Sequence, residues 1–421
     1  MANFLKIVFE ETSNQKNVDN YEYRNKPFSH SPVQQAFIKN YELLTQGPDV
    51  KTVYHVKLTL KERSFDFLPG DAIGILPEND ENEVNELLIR LGVEEISHKP
   101  CKLEILENTT KKNATVPKYL PKHDNIYSIF LKYIDIRSAP KKLFLKSLMK
   151  YTKDPTEKEK LDFICSPAGS SEYTTLLTQN RSLLALLNSF PSCEPPIELI
   201  LEHSTALNPR FFSIASSPLD KNLSIVFNIL VLENGLKGVC TGWLEKCINS
   251  EQCKTIPIPI YFRKPSNFRL NNLDKKIVLV ATGTGLAPFL GYLQHKVNIG
   301  ASEETWLFYG CRYSTRDFLF GSKLEVYKEN KTLTKLSTAF SREGNTKEYV
   351  QNRIFENKED IVKVFDEEAI VYVCGDKIVV KDVKEIFVQC FMECKCIERP
   401  NAEKILDGLV ESGRIVVDSW V

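Results

Sequence analysis

The segment IVLVATGTGLAPFLGYLQHK, residues 277–296, decides the fold of the second half of the chain. Its apolar run at 277–280 is typical of a buried strand, and residues 289–296 are predicted to form an amphipathic helix. Gly283 and Gly285 stand between them, where missing side chains let a pyrophosphate approach the backbone and the start of the helix. Alone, such a turn is weak evidence, because many strand–glycine–helix turns are only connections.

Strand and helix signals alternate from residue 266 to the end of the chain. Strands are predicted at 277–282, 306–309, 335–340 and 369–374, with helices between them. This alternation predicts a doubly wound parallel α/β domain over residues 266–421.

The first half of the chain carries antiparallel and helical signals instead. Residues 50–60 alternate between apolar and polar side chains, as a half-buried antiparallel strand does. Further strands are expected at 72–76, 198–201, 211–215 and 223–230, and helices at 84–91, 127–133, 141–151 and 174–189. The predicted domains are a lead-in at 1–26, a discontinuous antiparallel β-barrel at 27–80 and 196–265, and a helical insert at 81–195.

The composition restricts the classes of function. The chain has 55 basic and 55 acidic residues, so its formal net charge is zero. A chain without net charge is not expected to have nucleic acid or a membrane surface as its main partner. No apolar run reaches the roughly 18 residues of a transmembrane helix and no signal peptide is evident, so a cytoplasmic protein is expected. The eleven cysteines form no CxxC pair and are expected to be free thiols. Cys390, Cys394 and Cys396 cluster without a neighbouring histidine, so no metal site is predicted.

Two motifs in the first half suit a nucleotide cofactor. In RFFSIASS, residues 210–217, an anionic planar cofactor could use Arg210 for phosphate, an aromatic ring for stacking and Ser213 for a hydrogen bond. In KGVCTGWL, residues 237–244, a glycine again precedes a helix, and Thr241 could cap that helix and contact a phosphate. The alternatives are an ordinary strand and an ordinary helix start. Together with the turn at 283–285, however, these motifs indicate two nucleotide cofactors.

The segment 341–351 follows the predicted strand 335–340. A serine, two cations and a tyrosine at the carboxyl end of a parallel strand suit a 2′-phosphoadenosine, which favours NADPH over NADH. The alternative is a solvated basic loop. Cys374 ends another predicted strand at the same edge, and Trp420 near the C-terminus is either an accidental tail feature or a lid over a flavin ring.

In their order and spacing these motifs resemble the FAD/NADPH module of the diflavin reductases, within the ferredoxin–NADP reductase superfamily. The resemblance covers about residues 26–421 and includes IRSAPKK at 136–142 and FPSCEPP at 190–196. It implies an α+β and α/β multidomain fold, in which an antiparallel FAD-binding β-barrel with a helical insert precedes a doubly wound NADP-binding domain.

The resemblance also implies roles for individual residues. FAD would contact Arg210, Phe211, Phe212, Ser213, Gly238, Val239, Cys240, Thr241 and Trp420. NADPH would contact Gly283, Thr284, Gly285, Ser341, Arg342, Lys347, Tyr349, Val350, Gln351 and Asp382. Hydride transfer would involve Ser213, Cys374, Asp418 and Trp420.

The sequence departs from the family pattern at several points. Phe212 replaces a tyrosine, Ala281 and Thr282 replace a Gly-Pro pair, and the loop before Asp382 is one residue short. The N-terminal FMN-binding domain of the family is missing from this sequence, so FMN is expected only on a separate or missing domain.

The resemblance implies an FMN- or flavodoxin-like electron acceptor and, as final target, cobalamin-dependent methionine synthase, which would place the chain in methionine biosynthesis. One alternative is a stand-alone FAD/NADPH reductase for another redox protein. Another is a non-enzymatic flavin-binding remnant, against which the intact set of Ser213, Cys374, Asp418 and Trp420 argues.

Overall fold

The structure is a computed structural model that describes residues 3–10, 21–61, 66–179, 182–232, 234–270 and 274–420, without the side chains of Gln179 and Trp420. The chain forms two compact units. Unit 1 comprises Met1–Pro27, Leu76–Arg210 and Val231–Leu244, and unit 2 comprises Phe28–Ile75, Phe211–Leu230 and Glu245–Val421.

The described residues form strands and helices along both units. In chain order the strands are β1 (Leu5–Phe9), β2 (Gln34–Leu43), β3 (Val53–Leu60), β4 (Ala72–Ile75), β5 (Pro100–Ile105), β6 (His123–Asn125), β7 (Arg210–Ser213), β8 (Leu223–Asn228), β9 (Ile258–Phe262), β10 (Ile277–Thr282), β11 (Thr305–Cys311), β12 (Lys335–Phe340), β13 (Ile370–Asp376) and β14 (Ile415–Trp420). The helices are α1 (Glu81–Arg90), α2 (Ile126–Lys132), α3 (Lys142–Leu148), α4 (Pro155–Cys165), α5 (Ser170–Gln179), α6 (Leu183–Asn188), α7 (Ile197–His203), α8 (Val239–Asn249), α9 (Ala287–Ile299), α10 (Gly321–Glu329), α11 (Val350–Glu356), α12 (Lys358–Asp366), α13 (Lys377–Lys395) and α14 (Arg399–Glu411). No described helix combines the length and hydrophobicity of a transmembrane segment.

Unit 1 packs helices α1 to α7 against a small antiparallel sheet in the order β1-β5-β6. Phe4 and Leu5, just before and within β1, join the buried core of these helices. The predicted lead-in at 1–26 therefore contains a strand, and the predicted helical insert contains two more, which sequence reasoning missed. These strands are only three to six residues long, too short to show a clear period of two.

The predicted strand at 198–201 is wrong, because these residues belong to helix α7. Ile197, Leu199, Ile200 and Leu201 are all buried. An apolar run that is buried on every side carries neither period, so sequence alone does not distinguish strand from helix there. The predicted helix at 174–189 is instead divided between α5 and α6.

Unit 2 contains an antiparallel sheet in the order β7-β4-β9-β2-β3-β8. A bridge between Ile214, next to β7, and Ile225 of β8 closes this sheet into a barrel. In β3 the predicted alternation is confirmed, since Tyr54, Val56 and Leu58 are buried while the residues between them face outward more.

The second sheet of unit 2 is parallel throughout, in the order β12-β11-β10-β13-β14. Helices α9 and α10 pack on one face, and α11 to α14 pack on the other. This confirms the predicted doubly wound fold. The direction of winding reverses between β10 and β13, which is where ligands bind in open α/β sheets.

The predicted amphipathic pattern of α9 is wrong for residues 289–293, because all five residues are buried. The sheet covers one side, and on the other a Cβ at Gly291 would lie 3.0 Å from the carbonyl oxygens of Ile214 and Ser216. Even Lys296 is only 1% exposed. Its Nζ donates to Thr305 Oγ1 at 2.9 Å, to the carbonyl of Thr332 at 3.0 Å and to the carbonyl of Glu303.

Candidate active site

A cavity of about 550 Å³ lies in unit 2 at the carboxyl ends of the parallel strands. Residues that follow β10, β11, β12 and β13 contribute to it, as expected for the point where the winding reverses. Its lining includes Lys51, Thr282, Gly283, Thr284, Cys311, Arg312, Asp317, Ser341, Glu348, Tyr349, Val350, Gln351, Asp376, Ile378 and Asp382.

The glycine turn after β10 lines part of this cavity. Gly283 has a φ of +52°, a left-handed conformation that favours glycine, and nothing lies within 4 Å of the Cβ position. The turn continues as a 3₁₀ turn, Gly283–Leu286, into α9, and Thr284 also lines the cavity. Gly285 is buried beneath the turn and does not line it. The turn thus leaves room for a ligand against the backbone.

The loop after β12 contributes only part of the predicted phosphate site. Ser341 lines the cavity, and its backbone N–H donates to the carbonyl of Cys311 at 3.0 Å. Arg342 and Lys347 are exposed and do not line the cavity. Arg312 lines it instead, with its guanidinium donating to the carbonyl of Asp49 at 2.5 Å. Sequence reasoning missed Arg312, although its position directly after β11 is the same signal that identified Ser341.

Residues at the start of α11 and in α13 complete this side of the cavity. Tyr349, Val350 and Gln351 line it, as does Asp382 despite the short loop before α13. Gln351 Nε2 donates to Asp382 Oδ2 at 3.2 Å, so the two helices meet at the cavity wall. Asp376 caps α13 by accepting a hydrogen bond from the N–H of Val379 at 2.9 Å.

Lys51 reaches the same cavity from the barrel, just before β3. It is exposed, and sequence reasoning missed it because the chain around it shows only an alternating strand pattern. A cation here adds positive charge to the same cavity as the glycine turn, where a pyrophosphate would be expected to bind.

Three predicted hydride-transfer residues come together next to β13. Cys374 and Asp418 are register partners on β13 and β14, and the side chain of Ser213 in β7 lies close enough to Asp418 to lower the pKa of this carboxyl group. Cys374 is fully buried, and this burial, with the charge of Asp418, raises the pKa of its thiol well above the usual range. Burial also raises the pKa of Asp418, while the charge of Arg263 and the hydroxyl of Ser213 oppose that rise.

Arg263, beyond the end of β9, is a further member of this cluster that sequence reasoning missed. Its guanidinium carbon lies 4.7 Å from the ring centroid of Phe211 and 5.2 Å from that of Phe28. Two aromatic rings therefore hold this cation beside Asp418 by cation–π contacts. Phe212 lies on the opposite side of β7, with its ring 5.9 Å from that of Phe227.

Comparison with known proteins now identifies the family. The FAD binding domain family matches residues 26–243, and the oxidoreductase NAD-binding domain family matches residues 279–385. The chain therefore belongs to the FAD binding domain family. The predicted resemblance, the fold class and the cofactors FAD and NADP are thereby confirmed.

Several proteins similar to this chain carry names. It is 35% identical over 429 residues to methionine synthase reductase from Homo sapiens, covering 93% of this chain and 62% of that protein. It is 34% identical to the Rattus norvegicus protein of the same name, covering 94% and 62%. It is 31% identical to NADPH–cytochrome P450 reductase from Cavia porcellus, covering 95% and 60%. The chain thus spans about three fifths of the length of these relatives.

Each unit carries some of the predicted FAD residues. In unit 1 the Arg210 guanidinium donates to the carbonyl of Asn208 at 2.7 Å, and its charge lowers the pKa of Asp135, which burial raises more strongly. In unit 2 the FAD candidates are Phe211, Phe212 and Ser213, which supply rings and a hydroxyl. The rings and the hydroxyl of unit 2 suit a flavin ring, and the exposed guanidinium of unit 1 suits a phosphate, so the residues of each unit taken by itself fit this cofactor.

The second glycine motif starts a helix, as predicted, because Gly238 directly precedes α8. Helix α8 begins at Val239, and the carbonyl of Gly238 accepts the N–H of Gly242 at 2.7 Å. Thr241 lies in the first turn of this helix, and its predicted cap and phosphate contact stay predictions. Cys240 is buried.

The loop before α8 is fixed by Arg137. Its guanidinium donates to the carbonyl of Lys237 at 2.6 Å and to Glu83 Oε2 at 2.6 Å, and both side chains of this ion pair are mostly buried. Burial raises the pKa of Glu83, and the charge of Arg137 opposes that rise. The glycine turn of α8 is thereby tied to α1 within the same unit.

The remaining predicted features concern the C-terminus and metals. The backbone of Trp420 lies in β14 opposite Asp376, and its side chain is outside the described part of the chain. All eleven cysteines are free thiols, as predicted. Within the described ranges, no group of three or more His, Cys, Asp or Glu side chains is placed to hold a metal ion.

Proposed function

We propose that this chain transfers hydride from NADPH to FAD and passes the electrons to an FMN- or flavodoxin-like acceptor. The observation that carries this proposal is the convergence of Ser213, Cys374 and Asp418 in the same unit as the glycine-turn cavity. The two matched domain families support the same pair of cofactors.

The cavity supplies the groups that would hold NADPH. Thr284 and the backbone of Gly283 would bind the pyrophosphate, with Lys51 and Arg312 adding positive charge. Ser341 and Tyr349 would contact the 2′-phosphate and the adenine, respectively. FAD, when bound, accepts two electrons together and can release them singly.

The buried cluster would position the nicotinamide and stabilise the positive charge that develops on it. An ionised Asp418 suits this task because its charge acts at a partly buried position, where water screens it less than at the surface. Arg263 and Ser213 favour the ionised carboxylate and oppose the effect of burial. Cys374 keeps its proton on Sγ because its thiol pKa is raised, so it packs as a neutral group beside the carboxylate.

The acceptor and the final target are inferred from the relatives. Two of them are named methionine synthase reductase, which supports methionine synthase as the protein that finally receives the electrons. The relatives named NADPH–cytochrome P450 reductase support the second candidate, a reductase that serves another redox protein.

The test is anaerobic reduction of the flavin-loaded chain. The purified chain should show a flavin spectrum that NADPH bleaches much faster than NADH does. Asp418→Asn should slow this bleaching by about tenfold to a hundredfold, because the carboxylate acts mainly in the transition state. Asp49→Asn, on the exposed surface, is the matched control and should bleach like the wild type. A chain that binds flavin but is not bleached by NADPH would refute the proposed function.

A further inference from the structure

Thr282 is the last residue of β10 and lines the glycine-turn cavity, but the chemistry described above does not use its side chain. It is half-buried and stands immediately before Gly283, where the turn begins. The family pattern has a Gly-Pro pair at residues 281 and 282, and proline carries no hydroxyl group. The hydroxyl of Thr282 is therefore a polar group that this chain adds to the cavity.

Among the described residues, this hydroxyl has no hydrogen-bond partner. Thr282 directly precedes the 3₁₀ turn Gly283–Leu286, a position from which a threonine side chain commonly accepts a backbone N–H of the turn. Here the side chain makes no such bond. A ligand in the cavity can therefore use the O–H as a donor and the oxygen as an acceptor.

Two glycines on the neighbouring strands flank the side chain of Thr282 and show where its hydroxyl points. A Cβ at Gly310 of β11 would lie 3.3 Å from Thr282 Cγ2, and a Cβ at Gly375 of β13 would lie 3.2 Å from Thr282 Oγ1. The methyl group thus faces β11 and the hydroxyl faces β13. Because a β-branched side chain is stiff about χ1, this arrangement holds the hydroxyl in one direction.

The strand that the hydroxyl faces also carries Cys374. Ala281 is the register partner of Cys374 across β10 and β13, so Thr282 lies one residue further toward the glycine turn. It stands between the two places assigned above to NADPH, the pyrophosphate at Gly283 and the nicotinamide beside Cys374. The group that joins the pyrophosphate to the nicotinamide in NADPH is a ribose with two hydroxyl groups.

The peptide after Gly283 supports this placement of the pyrophosphate. The carbonyl of Gly283 accepts a hydrogen bond from the hydroxyl of buried Tyr309 at 3.2 Å. The N–H and C=O of a trans peptide point in opposite directions, so the N–H of Thr284 points away from Tyr309. Thr284 lines the cavity, and its N–H is available to a phosphate next to Thr282.

We propose that the hydroxyl of Thr282 hydrogen-bonds the nicotinamide-side ribose of NADPH and thereby positions the nicotinamide beside Cys374. This assignment rests on the proposed function, since it concerns the same cavity. A ribose hydroxyl both donates and accepts, as the threonine hydroxyl does. A pyrophosphate only accepts, and it would find donors in the glycine turn, Lys51 and Arg312.

Isothermal titration calorimetry of the full chain tests this proposal with two ligands. NADP⁺ contains the nicotinamide-side ribose, whereas 2′,5′-ADP lacks it. Thr282→Val removes the hydroxyl and keeps the branched shape, so it should weaken NADP⁺ binding about threefold to tenfold and leave 2′,5′-ADP binding unchanged. The matched control Thr282→Ser keeps the hydroxyl and should bind both ligands as the wild type does.

Two results of this titration would overturn the proposal alone: Thr282→Val binds NADP⁺ as tightly as the wild type does, or it loses affinity for both ligands equally. A wild type that binds neither ligand would refute the proposed function, and the ribose contact with it. The two failures are therefore distinguishable.

An NADP⁺ analogue without the two hydroxyl groups of the nicotinamide-side ribose identifies the partner of Thr282. Removing these hydroxyl groups should weaken binding to the wild type about threefold to tenfold more than binding to Thr282→Val, because the variant has already lost the contact. Losses that are equal in the two proteins would show that Thr282 acts on another part of the cofactor, which would overturn the proposal.

Discussion

Replacing Asp71 by asparagine should destabilise unit 2 by about 2–3 kcal/mol. Asp71 accepts two hydrogen bonds from Arg269, Nε to Oδ1 and Nη2 to Oδ2, both at 2.8 Å, and one from the N–H of Leu68 at 3.0 Å. Its side chain is 6% exposed, against 31% for that of Arg269. Removing one partner of a buried pair costs about 3–5 kcal/mol. The partial exposure of Arg269 lowers this value, because water can solvate the cation that is left.

The matched control is Asp49→Asn, whose partner Arg316 lies 3.5 Å away with both side chains about half exposed. An exposed pair of this kind contributes about 0–1 kcal/mol. Urea unfolding, followed by tryptophan fluorescence, gives the midpoint shift of each variant relative to wild type. The reasoning fails if both variants shift the midpoint equally, or if Asp71→Asn shifts it by less than the control.

Three further predictions address the cofactor and the barrel. Lys51→Gln should raise the KM for NADPH about fivefold to tenfold with little change in kcat, measured by steady-state reduction of an artificial acceptor; an unchanged KM would remove Lys51 from the site. The folded-state pKa of His55 is lowered to about 4 by burial and by Lys57, so the unfolded chain binds more protons between about pH 4 and 6.5. Stability should fall by at most about 3 kcal/mol as the pH drops through that window, and His55→Gln should flatten this part of the urea-unfolding profile. Trp420→Ala should improve the use of NADH relative to NADPH; an unchanged preference would contradict the predicted lid.

The sequence predicted the parallel sheet well because central strands buried on both faces give uninterrupted apolar runs between turns. The predicted strand 277–282 matches the central strand β10 residue for residue. The predicted strand 335–340 also matches β12, although this strand lies at the edge of the sheet and is mostly half-buried. The same rule failed at 198–201, where a helix buried all round gives an equally uninterrupted run. The amphipathic prediction for α9 failed because a barrel segment that is distant in the sequence covers the face of the helix that was expected to be exposed.

The residues of the site fall into two groups in the same way. The position of some follows from their own segment, and the position of others depends on distant parts of the chain. Gly283 and Ser341 were predicted because each follows a strand directly, so their position at the sheet edge is a local property. Lys51 and Arg263 were missed because both come from the barrel, and nothing in their own segments shows that the fold brings them there.

The cluster around Asp418 explains why the barrel and the parallel sheet must form one compact unit. The register of β13 and β14 places this carboxylate beside a buried thiol, an environment that by itself favours the protonated acid. Neither strand supplies a compensating charge; Ser213 and Arg263, both from the barrel, oppose the shift. An ionised Asp418 therefore depends on close packing of the two sheets, which the approach of Gly291 to the barrel backbone makes possible. Substitutions that enlarge residue 291 should accordingly affect the reaction through Asp418 without touching either cofactor.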